Sequence, residues 1–130
     1  MNFENIIRRI SEEFTRTWNH WDMDHRVACL TEDVRIESPN ISKVYPEITD
    51  NILIGKEQVR KYWELLAAKN GTFKVNQLSV VKDDMKVTTR NKVLGSDIEI
   101  IETFTMNEYG KINNLKYEYI DISPDNSNPQ

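Results

Sequence analysis

"DIEIIETFTMNEYGKINNLKYEYIDI", Asp97 to Ile122, is the stretch on which the fold turns. Apolar and polar residues alternate on both sides of "NEYG", the pattern of two half-buried strands joined by a turn. Gly110 supplies the positive φ that such turns often need. With "NEYG" as a four-residue loop, Glu102 faces Leu115, Ile100 faces Tyr117 and Ile98 faces Tyr119. Upstream, "MKVTTRNKVL" joins the first of these strands through Gly95-Ser96, read as a two-residue turn. Val93 then opposes Ile98, Lys92 opposes Glu99, Asn91 opposes Ile100 and Thr89 opposes Glu102. Both alignments put the same side chains on one side of the pleat. That face holds Val93, Ile98, Ile100, Phe104, Leu115, Tyr117 and Tyr119. A single carboxylate, Glu102, sits among them, with Asn91 and Thr89 beside it. The other face carries Arg90, Lys92, Glu99, Lys116 and Glu118, with Ile101, Ile120 and Ile122 between them. Lys92 opposite Glu99 predicts an exposed pair. "TFKVNQLSVV" makes a fourth strand-like segment, although both of its faces are mixed, and "KDD" links it to the next.

The first half of the chain has a different period. Phe3, Ile6, Ile7, Ile10, Phe14, Trp18 and Trp21 form one apolar helix face. Asp22 is placed to cap a second, short helix, "MDHRVACL", with Met23, Val27 and Leu30 on its buried side. A third helix runs from about Lys56 to Asn70 with Val59, Trp63 and Leu66 as its stripe, and Gly71 ends it. Between the second and third helices lie the strand "VRIES" and a proline-punctuated loop, roughly Pro39 to Asn51. Helices gathered on one face of an antiparallel sheet define an α+β domain. It is expected to span 1–123, followed by a flexible polar tail, 124–130.

Composition excludes several functions. A chain of 130 residues suits one domain with a real core. The net charge of -4 argues against a nucleic-acid surface, which needs a basic stripe. No apolar run approaches the roughly 20 residues that cross a bilayer. The charged start "MNFENIIRRISEEF" is not a signal peptide. Cys29 is the single cysteine, so no internal disulfide can form, which fits a reducing, cytoplasmic setting. "NIS" at Asn40 and "NGT" at Asn70 match the glycosylation pattern but are read as inert in that setting.

The pieces "WNHWDMD", "LTEDVRIESP", "ILIGKEQVRKYWELL" and "ETFTMNEYGKINNLKYEYID" occur in that order over nearly the whole chain. Together they resemble the nuclear-transport-factor-2-like superfamily, in its ketosteroid-isomerase-like and SnoaL-like (polyketide cyclase) branches. The resemblance implies a cystatin-like cone: a curved antiparallel sheet wrapped around the N-terminal helices, open at one end, with the interior as ligand site. It also implies a homodimer through the outer sheet face. Ketosteroid isomerases carry an aspartate base before the proline of the early strand, and this chain has Ser38 there. A serine hydroxyl alone is too weak to take a carbon-bound proton at neutral pH. The family's helix tyrosine falls on Phe14, which has no hydroxyl. The third family element, a neutral acid on the penultimate strand, falls on Glu102. The steroid-isomerase mechanism is therefore not expected; a cone with an inward acid is.

The candidate catalytic residues are Glu102 as acid and His25 or Asp121 as base. An inward glutamate demands a partner or a raised pKa, and histidine is the side chain tuned to neutral pH. The structural alternative for Glu102 is satisfaction by Thr89, Asn91 or water. Phe14, Trp18, Ser38, Trp63, Asn91, Ile100, Phe104, Leu115, Tyr117 and Tyr119 are expected to line the pocket. His20 is expected on the surface. His25 and Cys29, four apart, are too few for a metal site, so neither metal nor cofactor is expected. Three functions remain open: a cofactor-free isomerase, cyclase or dehydratase acting on a small hydrophobic, oxygen-bearing molecule; a non-catalytic binder of such a molecule; and an interaction module using the outer sheet face.

Overall fold

The computed structural model describes residues 3–123. The side chain of Phe3 and the tail 124–130 lie outside the described residues. The order of elements is α1 (Phe3–Asn19), α2 (Met23–Ala28), β1 (Leu30–Glu37), α3 (Ile41–Val44), β2 (Ile52–Ile54), α4 (Lys56–Asn70), β3 (Val75–Asp83), β4 (Lys86–Val93), β5 (Ile98–Met106) and β6 (Ile112–Asp121). The strands form one curved six-stranded sheet in the order β2-β1-β6-β5-β4-β3. All pairings are antiparallel except β1 with β6, which is parallel. Register irregularities interrupt β1 against β6, β3 against β4 and β5 against β6. Such bulges bend and twist a strand locally, which is how a sheet curls around a helix.

The helices form as their sequences dictate. Ile7, Ser11, Phe14 and Thr17 are the buried stripe of α1. Asp22 caps α2 by accepting the backbone N–H of His25 at 3.3 Å. Leu30, expected at the end of α2, instead opens β1, and it is still buried. Helix α4 ends at Gly71, whose φ of 79° few other residues tolerate. Its buried stripe includes Tyr62 as well as Val59, Trp63 and Leu66. Inside the proline-punctuated loop the structure adds α3 and β2, which were not expected. Both are too short, at four and three residues, to show a period. Strand β2 exists because it pairs with β1, opposing Ile54 to Arg35.

The β4–β5 register is as the turn at Gly95-Ser96 requires, with Thr89 opposite Glu102 and Asn91 opposite Ile100. The β5–β6 register is shifted by two residues from the expectation: Tyr117 faces Glu102, Tyr119 faces Ile100 and Asp121 faces Ile98. The cause lies in the turn. Asn107 Oδ1 accepts the backbone N–H groups of Tyr109 and Lys111, at 2.9 and 3.0 Å, so the loop extends to Lys111. A bulge between Thr105 and Met106 absorbs the difference. An even slip keeps every side chain on its face, so the inward set survives. The expected Lys92–Glu99 pair does not form: Glu99 takes Arg90 at 3.5 Å, while Lys92 donates to the carbonyl of Ser96 at 2.7 Å. The mixed faces of β3 also have an explanation, because β3 is an edge strand and most of it is exposed.

Candidate functional site

Between the helices and the concave sheet lies a cavity partly open to solvent, with about 50 Å³ of space for water-sized molecules. Glu102 lines it from β5, Asn91 from β4, and Tyr117 and Tyr119 from β6. Trp18 lines it from α1, Trp63 and Tyr62 from α4, and Ser38 from the end of β1. Ile100 also borders it. Strand parity puts Val34, Ile36 and Ser38 on one face, and all three are fully buried. Pro39 ends the row, so Ser38, the residue directly after β1, is its last inward member. Its Oγ is 3.4 Å from the Tyr62 hydroxyl, which donates to it.

Phe14, Phe104 and Leu115 do not border the cavity; they form the packed core behind it. Phe14 packs edge-on against Trp63 and tilted against Phe104, at 6.4 and 6.0 Å between ring centres. His25 and Asp121, the expected bases, do not face Glu102. His25 is on the outer side of α2 with 71% of its side chain exposed, and its ring pairs with Asp22. Asp121 is exposed, and its carboxylate accepts the backbone N–H of Ser123 at 2.9 Å. A six-residue helix turns its two sides quickly: the residue after His25 is the one that points inward.

That residue is Arg26, a cation 3% exposed at the cavity wall. Charged groups are buried only when paired, and both terminal nitrogens of Arg26 are paired. One terminal nitrogen donates to the Phe14 carbonyl at 2.7 Å and to Thr17 Oγ1 at 3.3 Å. The other donates to the Tyr117 hydroxyl at 3.1 Å and lies 3.5 Å from Glu102 Oε2. Its guanidinium lies over the Phe14 ring, 3.8 Å from the centre, with Trp63 at 4.5 Å and Trp18 at 5.2 Å. Aromatic faces attract a desolvated guanidinium strongly. Tyr117 closes the network by donating to Glu102 Oε2 at 2.6 Å. The short bonds through Tyr117, rather than the long direct contact, join the two charges.

Glu102 is therefore no isolated acid. It is 6% exposed, with a cation and a phenol on one oxygen and Thr89 Oγ1 at 3.5 Å from the other. Asn91 Nδ2 in turn donates to Thr89 Oγ1 at 2.9 Å. Burial pushes the Tyr117 hydroxyl well above the usual tyrosine range, and the nearby Glu102 charge adds to the shift. Burial likewise raises Tyr62 and Tyr119, against the opposing hydrogen bond of Ser38 in each case. All three are hydroxyl donors at neutral pH, not bases.

Sequence reasoning missed six residues of the cavity lining: Thr15, Leu66, Phe73 and Val75, and the two with polar chemistry at its heart, Arg26 and Tyr62. A signal existed for Arg26. Met23, Arg26, Val27 and Leu30 follow the i, i+3, i+4, i+7 helix pattern, so an arginine stood inside an apolar stripe. The inward Glu102 demanded a partner of opposite charge. Tyr62 stood beside Trp63 with no pattern to separate it from the stripe.

The fold and the cavity define a cone-shaped α+β protein with the nuclear-transport-factor-2-like fold. The chain belongs to the SnoaL-like domain family, whose model matches residues 11–114. No curated protein matches it. Solved structures similar to it include a SnoaL-like protein of unknown function from Burkholderia thailandensis, at 18% identity and TM-score 0.80, covering 92% of this chain and 99% of that one. SalBIII, an epoxide hydrolase/cyclase-like enzyme with a role in pyran ring formation in the polyether salinomycin, is 17% identical with TM-score 0.65, covering 92% and 95%. A Sinorhizobium meliloti protein provisionally called a polyketide cyclase is 20% identical with TM-score 0.64, covering 85% and 94%. At these identities the likeness is one of fold. Among the described residues no helix is long and apolar enough to cross a membrane.

Proposed function

We propose that this chain binds a small, uncharged, partly apolar molecule bearing hydrogen-bonding oxygen in its cone. The observation that carries this is the Arg26–Tyr117–Glu102 network: one positive and one negative charge at the cavity wall, already joined. A charged ligand would lose its hydration and find no free counter-charge there. A neutral ligand finds aromatic walls and a few polar groups, the usual make-up of a small-molecule site. Thermal unfolding with and without ligands tests this. Neutral cyclic ketones, epoxides and lactones should raise the melting temperature, while carboxylate or amine analogues of the same size should not. Stabilisation by the charged analogues alone, or by none of the compounds, would overturn the reading.

A second reading, cofactor-free acid–base chemistry on that ligand, is favoured by one feature. Glu102 Oε2 is held by Tyr117 and Arg26, whereas Oε1 has only the long contact with Thr89. That leaves a carboxylate oxygen with spare acceptor capacity on a residue of the cavity wall, as a general base requires. Tyr117 and Arg26 would hold the carboxyl in place, and the donors around the cavity would receive charge developing on the substrate oxygen. A base that removes a proton can initiate isomerisation, cyclisation or dehydration. Deuterium uptake at the carbon beside the carbonyl of a bound cyclic ketone, in heavy water, reports it directly. Wild-type protein should catalyse the exchange and Glu102→Gln should not; equal rates would remove the catalytic role.

The outer sheet face, with Ile101 half-buried and Ile120 43% exposed, is proposed as a homodimer contact. A cytoplasmic location is proposed from the single, half-buried thiol of Cys29.

A further inference from the structure

Among the residues lining the cavity, only Ser38 and Phe73 lie outside helices and strands. Ser38 is fixed: it is buried, and its N–H donates to the Asn51 carbonyl at 3.1 Å. Phe73 belongs to a short strap, 71–74, between α4 and β3. The ends of the strap are tied down. The Gly71 N–H donates to the Ala67 carbonyl at 2.7 Å, and the Lys74 carbonyl accepts the Leu94 N–H at 2.9 Å. Just beyond, the Asn19 side chain brackets Val75: its Oδ1 accepts the Val75 N–H at 2.8 Å and its Nδ2 donates to the Val75 carbonyl at 2.9 Å. Between those ties, Thr72 and Phe73 make no hydrogen bond to any described residue. The middle of the strap is held through the Phe73 ring, which packs tilted against Trp18 at 5.2 Å between centres. Thr72 and Lys74 are exposed on either side and Phe73 is half-buried, so its ring stands between the cavity and solvent.

Backbone with few buried contacts and no hydrogen bonds is the first to move in a folded protein. Gly71 gives that movement a pivot. Its φ is 79°, a glycine conformation, and nothing lies within 4 Å of where a Cβ would stand. Trp18 is a fixed post, part of α1 and packed edge-on against Trp21 at 5.4 Å. On the small-molecule reading above, we propose that Phe73 is the door of the cavity. The strap swings about Gly71, the ring leaves Trp18 to let the ligand pass, and it closes again behind it. Loops that pivot at a few residues and shut over a bound molecule control entry and release in many proteins. One aromatic contact of this kind favours the closed position by about fivefold. Entry through a door open for only that fraction of the time is slowed to match.

Titration of the full chain with cyclohexanone, δ-valerolactone and cyclohexene oxide tests this, each followed by line-shape analysis of nitrogen–proton correlation spectra. The three indole N–H signals report association and dissociation rates separately. In Phe73→Ala the association rate of whichever rings bind should rise about fivefold, and the dissociation rate should rise with it. Phe73→Leu keeps an apolar side chain on the strap and should raise the association rate about twofold. A residue that merely lines the wall acts on dissociation alone. An association rate unchanged or lowered in the variants would therefore overturn the door and leave the small-molecule reading standing. Failure of all three rings to bind the wild-type protein would overturn the reading on which the door rests.

Discussion

A single buried arginine changes what Glu102 is. Without Arg26, an inward glutamate on an apolar sheet face is a candidate neutral acid; with it, the pair is an internal charge network carried through Tyr117. Glu102→Gln keeps the shape and removes the negative charge. It should cost roughly 3 kcal/mol of stability, because Arg26 would be left buried without its counter-charge. Chemical denaturation measures this, and an unchanged midpoint would mean that the aromatic rings and the Phe14 carbonyl suffice for the cation. Replacing both partners by apolar residues of similar size should lose less than either single change. The tyrosines give a second residue-scale prediction. Tyr62, Tyr117 and Tyr119 are all raised above the value of 10.0 that an unfolded tyrosine has. Folded protein therefore binds more protons than unfolded protein above that pH. The tyrosines' contribution to stability is constant below about pH 10 and falls as pH climbs from there toward the folded values. Ultraviolet titration should show these three of the five tyrosines ionising only with unfolding. Their ionisation in intact protein near pH 10 would contradict the burial.

At the scale of elements, α2 decides the site. It has six residues, too few to be stable alone, and it carries the guanidinium into the cone. Its cap is Asp22, held below the usual carboxylate range by the His25 side chain first and by the backbone N–H of His25 as well. The stability this contributes is present above the ordinary aspartate pKa and is lost as pH falls through the depressed value. Asp22→Ala should lower the melting temperature at neutral pH, and the effect should shrink at acid pH as the wild-type cap takes up its proton. An equal effect at neutral and acid pH would show that Asp22 acts through packing. The short elements were the illegible ones. Strand β2 and helix α3 have no period of their own; β2 takes its shape from pairing with β1, and α3 lies over α4, with Ile41 fully buried.

For the whole molecule, the sheet is curved and has two faces with different fates. The concave face packs on α1 and α4 and keeps the cavity. The convex face leaves Val81 63% and Ile120 43% exposed among paired charges such as Arg90–Glu99. If that face joins two copies, Ile120→Lys should convert a dimer to a monomer in analytical ultracentrifugation with unfolding unchanged. A wild-type chain that sediments as a monomer at tens of micromolar would exclude the contact.

Alternation and helical spacing are local properties, and they determined the elements that are long enough to repeat: the helices α1 and α4, the four late strands, and the inward parity of Glu102, Asn91, Tyr117 and Tyr119. Parity even survived a two-residue error in the β5–β6 register, because an even slip preserves faces. Contacts between residues distant in the chain were decided only by tertiary structure. Arg26 meets Glu102 and Tyr117 across 76 and 91 positions of sequence, and Tyr62 meets Ser38 across 24. No period links such residues. The closing of the sheet around α1 does, and it turned a neighbour of the expected histidine into the charge at the heart of the site.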